Sequence, residues 1–297
     1  LALRDEVAPE LGAHAGRLHA GAGPGGDITF AIDEEAESFM EEFLAERAPG
    51  IAFYSEDRGL VEPGGGDSRW VLVVDPIDGT RPAMAGFEAA CVSVALAELA
   101  GGEPTMGDVV AGCIVEIKSG RAFYAERGGG LDPAPSLSAN RDLGRLFCAY
   151  GLRGRPMRAI AEVIGELIDA SSVGGGTFDL GSATYDMTRI ATGQLDAYVE
   201  PGPRMVADVP GMRERFEQVG GGAVLNNSPY DLAAAALCVE EAGAVVSDAY
   251  GSPLADRPLL GSGAEFQISC IAAANADLHT QILESIERGI ERLAEQM

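Results

Sequence analysis

A chain of 297 residues that is 46% hydrophobic can bury a large core, in one big domain or two. Its net charge of −25 disfavours nucleic-acid partners through the field of the whole molecule. The same charge repels an anionic substrate, so a site for one must supply local positive charge, as bound divalent cations would. No apolar run approaches the roughly 18–20 residues of a membrane span, and no signal-peptide pattern is read at the start. The five cysteines (Cys91, Cys113, Cys148, Cys238, Cys270) are odd in number, widely spaced and set in apolar runs, as expected of reduced core residues in a cytoplasmic protein. His14, His19 and His279 have no Cys or Asp at zinc spacing, so no zinc site is expected. One lysine, Lys118, stands against twenty arginines; a high-GC coding sequence and a salt-adapted acidic surface both account for it.

Leu3, Val7, Leu11, Ala15 and Leu18 recur at helical spacing and predict an amphipathic helix over 3–20. Residues 21–26 fit the G-x-G-x-x-G dinucleotide pattern letter by letter. They follow a helix rather than a strand, contain Pro24 and lead into an extended stretch over 28–32, so a loop without that function is expected. Asp33 opens a helix with Ala36, Phe39, Met40, Phe43 and Leu44 on one face, where it serves equally well as a first-turn acid. A short strand over 51–54 ends in Ser55-Glu56-Asp57, and 62–67 is a Pro/Gly-rich surface loop.

The stretch Trp70-Val71-Leu72-Val73-Val74-Asp75-Pro76-Ile77-Asp78-Gly79-Thr80 organises the rest. Its apolar, β-branched run reads as a buried strand that stops at a carboxylate. Pro76 bars further pairing and fixes a turn, and Gly79 permits a backbone conformation most residues resist. Two carboxylates three residues apart on one turn repel each other unless a cation lies between them, and hard oxygen ligands suit magnesium or manganese.

Strand-like runs over 90–98, 109–117 and 121–126 suggest an antiparallel sheet. The Gly- and Pro-rich segment 127–139 is the best domain boundary, dividing an α+β half, 1–135, from an α/β half, 136–297. A buried strand over 146–150 and a helix over 157–170 follow. Another helix over 182–193 is capped by Ser182 and closed by Gly193, and a strand over 195–199 ends at Glu200. Ser228-Pro229-Tyr230-Asp231 opens an Ala-rich helix closed by Gly243, where Asp231 can be the acidic partner of a capping box. Strands over 244–248 and 266–272 and a polar C-terminal helix from about Ala276 complete the chain.

Taken together, these motifs resemble the inositol monophosphatase family of magnesium-dependent, lithium-sensitive phosphatases, over about 27–275. Asp75, Ile77, Asp78 and Thr80 match its signature outright. The segment from Asp27 through Asp33 and Glu37 resembles the family's early acidic motif, with Phe30 where a threonine is usual. Ser55-Glu56-Asp57 resembles Gly-Glu-Glu, Gly181-Ser182-Ala183 the segment contacting substrate, and Pro229-Tyr230-Asp231 the family's Pro-Trp-Asp. The resemblance implies a layered α-β-α-β-α sandwich and hydrolysis of a small phosphate monoester, an inositol or sugar phosphate, by metal-activated water. It implies Glu56, Asp75, Ile77 (through its carbonyl), Asp78 and Asp231 as ligands to two or three Mg²⁺ ions, with Mn²⁺ a possible substitute. Thr80, Asp33 and Glu56 are the implied catalytic residues, and Gly79, Thr80, Gly181, Ser182, Ala183 and Glu200 the implied substrate contacts. A small phosphorylated metabolite, not nucleic acid or membrane, and a homodimer are the implied partners.

Alternatives within the same chemistry are fructose 1,6-bisphosphatase, a bisphosphate nucleotidase and histidinol-phosphate phosphatase; from a different class, a non-catalytic metal- or phosphate-binding relative. Glu200 also reads as a solvated strand end, and Glu56 as turn chemistry. The sequence departs from the family at Arg81-Pro82 and in lacking a lysine over 21–26. It departs most in placing Glu200 and Asp231 31 positions apart, where the family closes that gap in under ten. The inserted stretch 201–227 shows no clear apolar periodicity. It is expected to be either a lid whose Arg204, Arg213 or Arg215 reads a second anionic group, or a solvated loop.

Overall fold

A computed structural model describes residues 1–12, 19–22, 28–62, 68–99 and 103–297. The chain opens with helix α1 (Ala2–Val7), continued by a short 3-10 turn over Ala8–Glu10. The helix predicted over 3–20 therefore ends early: Pro9 supplies no N–H, and Gly12 takes φ +78°. Residues 13–18 lie outside the described part. Strands β1 (His19–Ala22) and β2 (Ile28–Phe30) pair antiparallel, so the glycine-rich stretch joins a hairpin and not a strand to a helix; its residues 23–26 lie outside the described part. Helix α2 (Ala31–Arg47) follows, with Asp33 in its first turn.

Strands β3 (Ala52–Ser55), β4 (Gly59–Val61) and β5 (Trp70–Asp78) come next, then helix α3 (Thr80–Ala85). Strands β6 (Cys91–Glu98), β7 (Val109–Glu116), β8 (Ala122–Glu126) and β9 (Gly130–Asp132) complete a seven-stranded sheet of order β4-β3-β5-β6-β7-β8-β9. Only β3 and β5 run parallel in it. The strand expected to stop at Asp75 does not stop. Asp75 pairs with Ser93 and Asp78 with Cys91, so β5 carries one extra residue there. Pro76 is accommodated by that bulge instead of ending the strand.

The second half contributes β10 (Phe147–Tyr150), α4 (Met157–Ser171), β11 (Gly176–Phe178), α5 (Ala183–Ala191) and β12 (Ala197–Glu200). The inserted stretch then folds as two short helices, α6 (Gly202–Asp208) and α7 (Met212–Val219). Helix α8 (Pro229–Glu241), β13 (Val245–Ser247), β14 (Cys270–Ala273) and α9 (Ala276–Glu295) follow. The strand expected over 266–272 is thus confined to its last residues and Ala273. A five-stranded sheet has the order β11-β10-β12-β14-β13, parallel among β11, β10 and β12 and antiparallel beyond.

Five layers result. α1 and α2 lie on the outer face of the large sheet, α5 and α8 between the two sheets, and α4 and α9 outside the small sheet. A helix enclosed between two sheets needs small side chains, which explains the run Ala233 to Ala236, all buried. A Cβ at Gly112 of β7 would lie 2.9 Å from the Ala234 carbonyl oxygen, so glycine there lets α8 seat. One buried apolar cluster runs from Val71 and Ile114 of the large sheet through α5 and α8 to Tyr198 and Ala272 of the small one. The inserted helices belong to the outer core: Met205, Val209, Met212 and Phe216 pack with Ile282 and Ile286 of α9. The stretch is therefore not a loose loop. Among the described residues no helix is long and apolar enough to cross a membrane.

Candidate active site

In a regular strand, residues three apart face opposite sides of the sheet. The extra residue in β5 cancels that alternation, and Asp75 and Asp78 reach the same cleft. The Ile77 N–H donates to Asp75 Oδ1 at 3.0 Å. Asp78 Oδ2 accepts from Ser182 Oγ at 2.8 Å and from the Thr184 N–H at 2.6 Å, which seats the start of α5 on it. Asp231 stands in the first turn of α8, where its Oδ2 caps the Ser228 N–H at 2.6 Å. The capping role is real, and it does not exclude another. One oxygen from each of Asp75, Asp78 and Asp231 lies within 4.8 Å of the others.

Burial, first of all, pushes all three carboxyls above their usual range. At Asp75 the neighbouring Asp78, Asp231 and Glu56 add to it, and the shift is large. Asp231 is pushed up to about 7, by burial and then by Asp78. At Asp78 the hydrogen bonds from Thr184 and Ser182 oppose the shift. Three converging carboxylates, withdrawn from water, are stable as anions only when a cation shares them. Their all-oxygen, anionic character fits a hard divalent ion and not a soft one.

Beside this trio, Gly79 adopts φ +93° and caps α3. A Cβ there would meet the Ala89 carbonyl at 2.4 Å, so only glycine serves. Thr80 opens α3, and its hydroxyl lies 3.0 Å from Asp33 Oδ1 and 3.2 Å from the Ile77 carbonyl. The two segments, 47 positions apart, meet at one edge of a cleft of about 400 Å³. Glu56 lines the same cleft from the β3–β4 turn, outside the converging trio. Asp57 beside it accepts the Thr29 hydroxyl at 3.0 Å.

The expected substrate contacts divide. Gly79, Thr80 and Gly181 line the cleft, whereas Ser182 and Ala183 line a smaller recess of about 70 Å³ behind it. Glu200 is fully buried and lines neither: its carboxylate is held by Arg155 and by the Gly202 N–H at 2.7 Å. The solvated strand end is thus ruled out, and so is a free carboxylate facing the cleft. Nor do the inserted arginines reach it. Arg204 is buried, pairs with Asp208 and Glu287 and covers the Tyr250 ring, while Arg213 lies near Glu217 at 4.0 Å, and neither these two nor Arg215 lines the cleft. Sequence reasoning passed over Arg153 and Asp179, which do line it. A signal was present: Gly151 to Pro156 is a Gly/Pro-rich turn directly after a buried parallel strand, where α/β sheets commonly place ligand-binding residues.

The family model described as the inositol monophosphatase family matches residues 3–291. A protein of Methanothermobacter thermautotrophicus named fructose-1,6-bisphosphatase/inositol-1-monophosphatase is 29% identical over 275 residues, 89% of this chain and 85% of its own. A Xylella fastidiosa protein named Nus factor SuhB is 31% identical over 239 residues, 78% of this chain and 72% of its own. The crystal structure of the extragenic suppressor protein suhB from Bartonella henselae has the same fold. It superposes with a TM-score of 0.72 at 24% identity, covering 97% of this chain and 95% of that one.

Proposed function

The chain belongs to the inositol monophosphatase family, phosphoric monoester hydrolases, and from that premise we propose that it cleaves a small inositol or sugar phosphate by attack of metal-activated water. The observation that carries this reading is the buried trio Asp75, Asp78 and Asp231 beside the Asp33–Thr80 pair. These aspartates, with Glu56 and the Ile77 carbonyl, would hold two or three Mg²⁺ ions, for which Mn²⁺ could substitute. Bound there, such ions would supply positive charge against the phosphate oxygens and make a water more acidic.

The remaining work falls to the chain's own groups. Donating its hydrogen to Asp33 Oδ1, the Thr80 oxygen keeps lone pairs free to accept a proton from a water in the cleft. The Thr80 proton passes to Asp33 as the water's proton arrives, a relay within ordinary general-base reach. Glu56, which lines the same cleft, acts as the second carboxylate orienting that water. Gly79 and Thr80 offer backbone N–H groups to the phosphate, and Gly181, which packs beside Pro82, bounds the leaving alcohol. Glu200 acts at one remove, through Arg155. A small phosphorylated metabolite as partner, a homodimer as assembly and the cytoplasm as location complete the reading.

The test is a panel of phosphate esters assayed with Mg²⁺ and with Mn²⁺. It should include inositol 1-phosphate, fructose 1,6-bisphosphate, a 3′,5′-bisphosphate nucleotide, histidinol phosphate and p-nitrophenyl phosphate. Metal-dependent release of phosphate from at least one is expected. Release from none, with the metal shown to bind, would overturn the reading.

A further inference from the structure

The acid predicted to meet substrate is spent elsewhere in the molecule, and what it holds instead is informative. Arg155 is itself buried, and its guanidinium joins the Glu200 carboxylate on one side and the Arg153 carbonyl oxygen on the other. The turn between them is tightly set. Gly154 takes φ +72°, and a Cβ there would lie 2.9 Å from the Leu225 Cβ. The Arg155 N–H bonds back to the Leu152 carbonyl at 3.3 Å, and the Gly151 N–H to the Val199 carbonyl at 3.3 Å. Glu200 and Arg155 thus form a buried strut that fixes the backbone of Arg153.

The Arg153 side chain, by contrast, is exposed, and it lines the main cleft together with the two small recesses that adjoin it. It stands on the turn between β10 and α4. Among the described residues the cleft is lined by seven carboxylates and two arginines, Arg153 and Arg81, and the charge of Arg153 acts on Asp78, Asp179 and Asp231. A guanidinium suits a carboxylate or phosphate, which it grips with two parallel hydrogen bonds.

We propose that Arg153 is a specificity-determining residue that pairs with a second anionic group on the leaving alcohol, and that Glu200 and Arg155 are positioning residues for it. This rests on the phosphatase reading above and deepens it: the substrate class becomes phosphate esters whose alcohol carries another phosphate or a carboxylate. The arginine that the insertion was expected to supply comes from a different turn.

The experiment compares wild type, Arg153→Gln and Arg153→Lys on fructose 1,6-bisphosphate (second phosphate), 3-phosphoglycerate (carboxylate) and glycerol 2-phosphate (neutral alcohol). Specificity constants are read from turnover, and dissociation constants from titration calorimetry with Ca²⁺ in place of Mg²⁺. In Arg153→Gln the preference for one or both doubly anionic esters over glycerol 2-phosphate should fall about tenfold or more, chiefly through KM. Arg153→Lys should restore part of it. Which of the two esters loses its advantage identifies the second group as phosphate or carboxylate. An equal loss on all three esters would make Arg153 a ligand of the reacting phosphate and overturn the proposal, as would no loss on any. The binding arm separates this from the phosphatase reading: an enzyme silent on every ester whose Arg153-dependent binding preference persists refutes the hydrolysis and leaves the specificity inference standing.

Discussion

Asp33 divides its carboxylate between two tasks: Oδ1 receives the Thr80 hydroxyl at 3.0 Å, and Oδ2 receives the Phe30 N–H at 3.0 Å at the start of α2. The choice between a helix-capping acid and a site acid is therefore not a choice. The cap fixes the side chain, and the fixed side chain presents its other oxygen to Thr80.

That division yields a prediction. Thr80→Ala should lower kcat by about 10²–10⁴-fold, the usual worth of a positioned proton acceptor. Mg²⁺ affinity should change only a few-fold. Asp33→Asn can still cap Phe30 with its amide oxygen, so its melting temperature should stay near wild type while kcat falls comparably. Because the two residues act as one unit, the double variant should be little worse than either single one. Steady-state kinetics on all three variants decide the point, and fully additive losses would break the pairing.

The aspartate trio makes a second prediction, read in stability as well as rate. Asp75→Asn should cost on the order of 10³-fold or more in turnover. In EDTA the same variant should melt at or above the wild-type temperature, because one of three mutually repelling buried anions is gone. Added Mg²⁺ should raise the wild-type melting temperature and leave that of the variant almost unmoved. Thermal scans with and without metal check both halves, and a variant that responds to Mg²⁺ as the wild type does would remove Asp75 from the ligand set.

Much of the fold was legible because it is written locally. The run from Trp70 to Val74, the Ser182 cap, the small-residue helix after Asp231 and the glycine at 79 each announce themselves within a few residues. What was not legible depends on partners distant in sequence. The bulge at Pro76 exists only relative to Ser93 and Cys91 on the neighbouring strand. Glu200 looks available from its own strand, and only Arg155, 45 positions earlier, shows that it is not. The inserted helices hid their pattern in their shortness: Met205, Val209, Met212 and Phe216 follow helical spacing, but Gly211 at φ +69° breaks the stripe between two helices of seven and eight residues.

A third prediction follows from that packing. A solvated lid would tolerate loss of a large side chain, whereas a core element would not. Phe216 is fully buried, so Phe216→Ala should destabilise the protein by about 3–5 kcal/mol. Arg213→Ala, at an exposed pair, should change stability by well under about 1 kcal/mol. Urea unfolding of the two variants distinguishes them, and near-equal small effects would return the segment to the status of a loop.

The last prediction concerns Asp186, on α5 in the recess behind the cleft. It is buried, and its Oδ1 finds no hydrogen-bond partner among the described residues. Burial above all, then the charges of Asp78 and Asp179, hold its carboxyl well above the usual range, with Arg189 opposing. A carboxyl whose folded pKa exceeds its unfolded value, roughly 3.9, binds its proton more tightly in the native state. Its contribution to stability is complete below the unfolded value and is lost as pH rises through the folded one. Asp186→Asn keeps the shape and removes the titration. The variant should therefore match wild type at about pH 4 or below and gain on it as pH rises, reaching about 1–3 kcal/mol once the native carboxyl has ionised, the usual range for a poorly satisfied buried polar group. Urea unfolding at pH 4 and at pH 8, both in EDTA, measures the difference. A variant advantage equal at the two pH values would show that Asp186 does not titrate between them, and a variant less stable at pH 8 would show that its charge is balanced in the native protein.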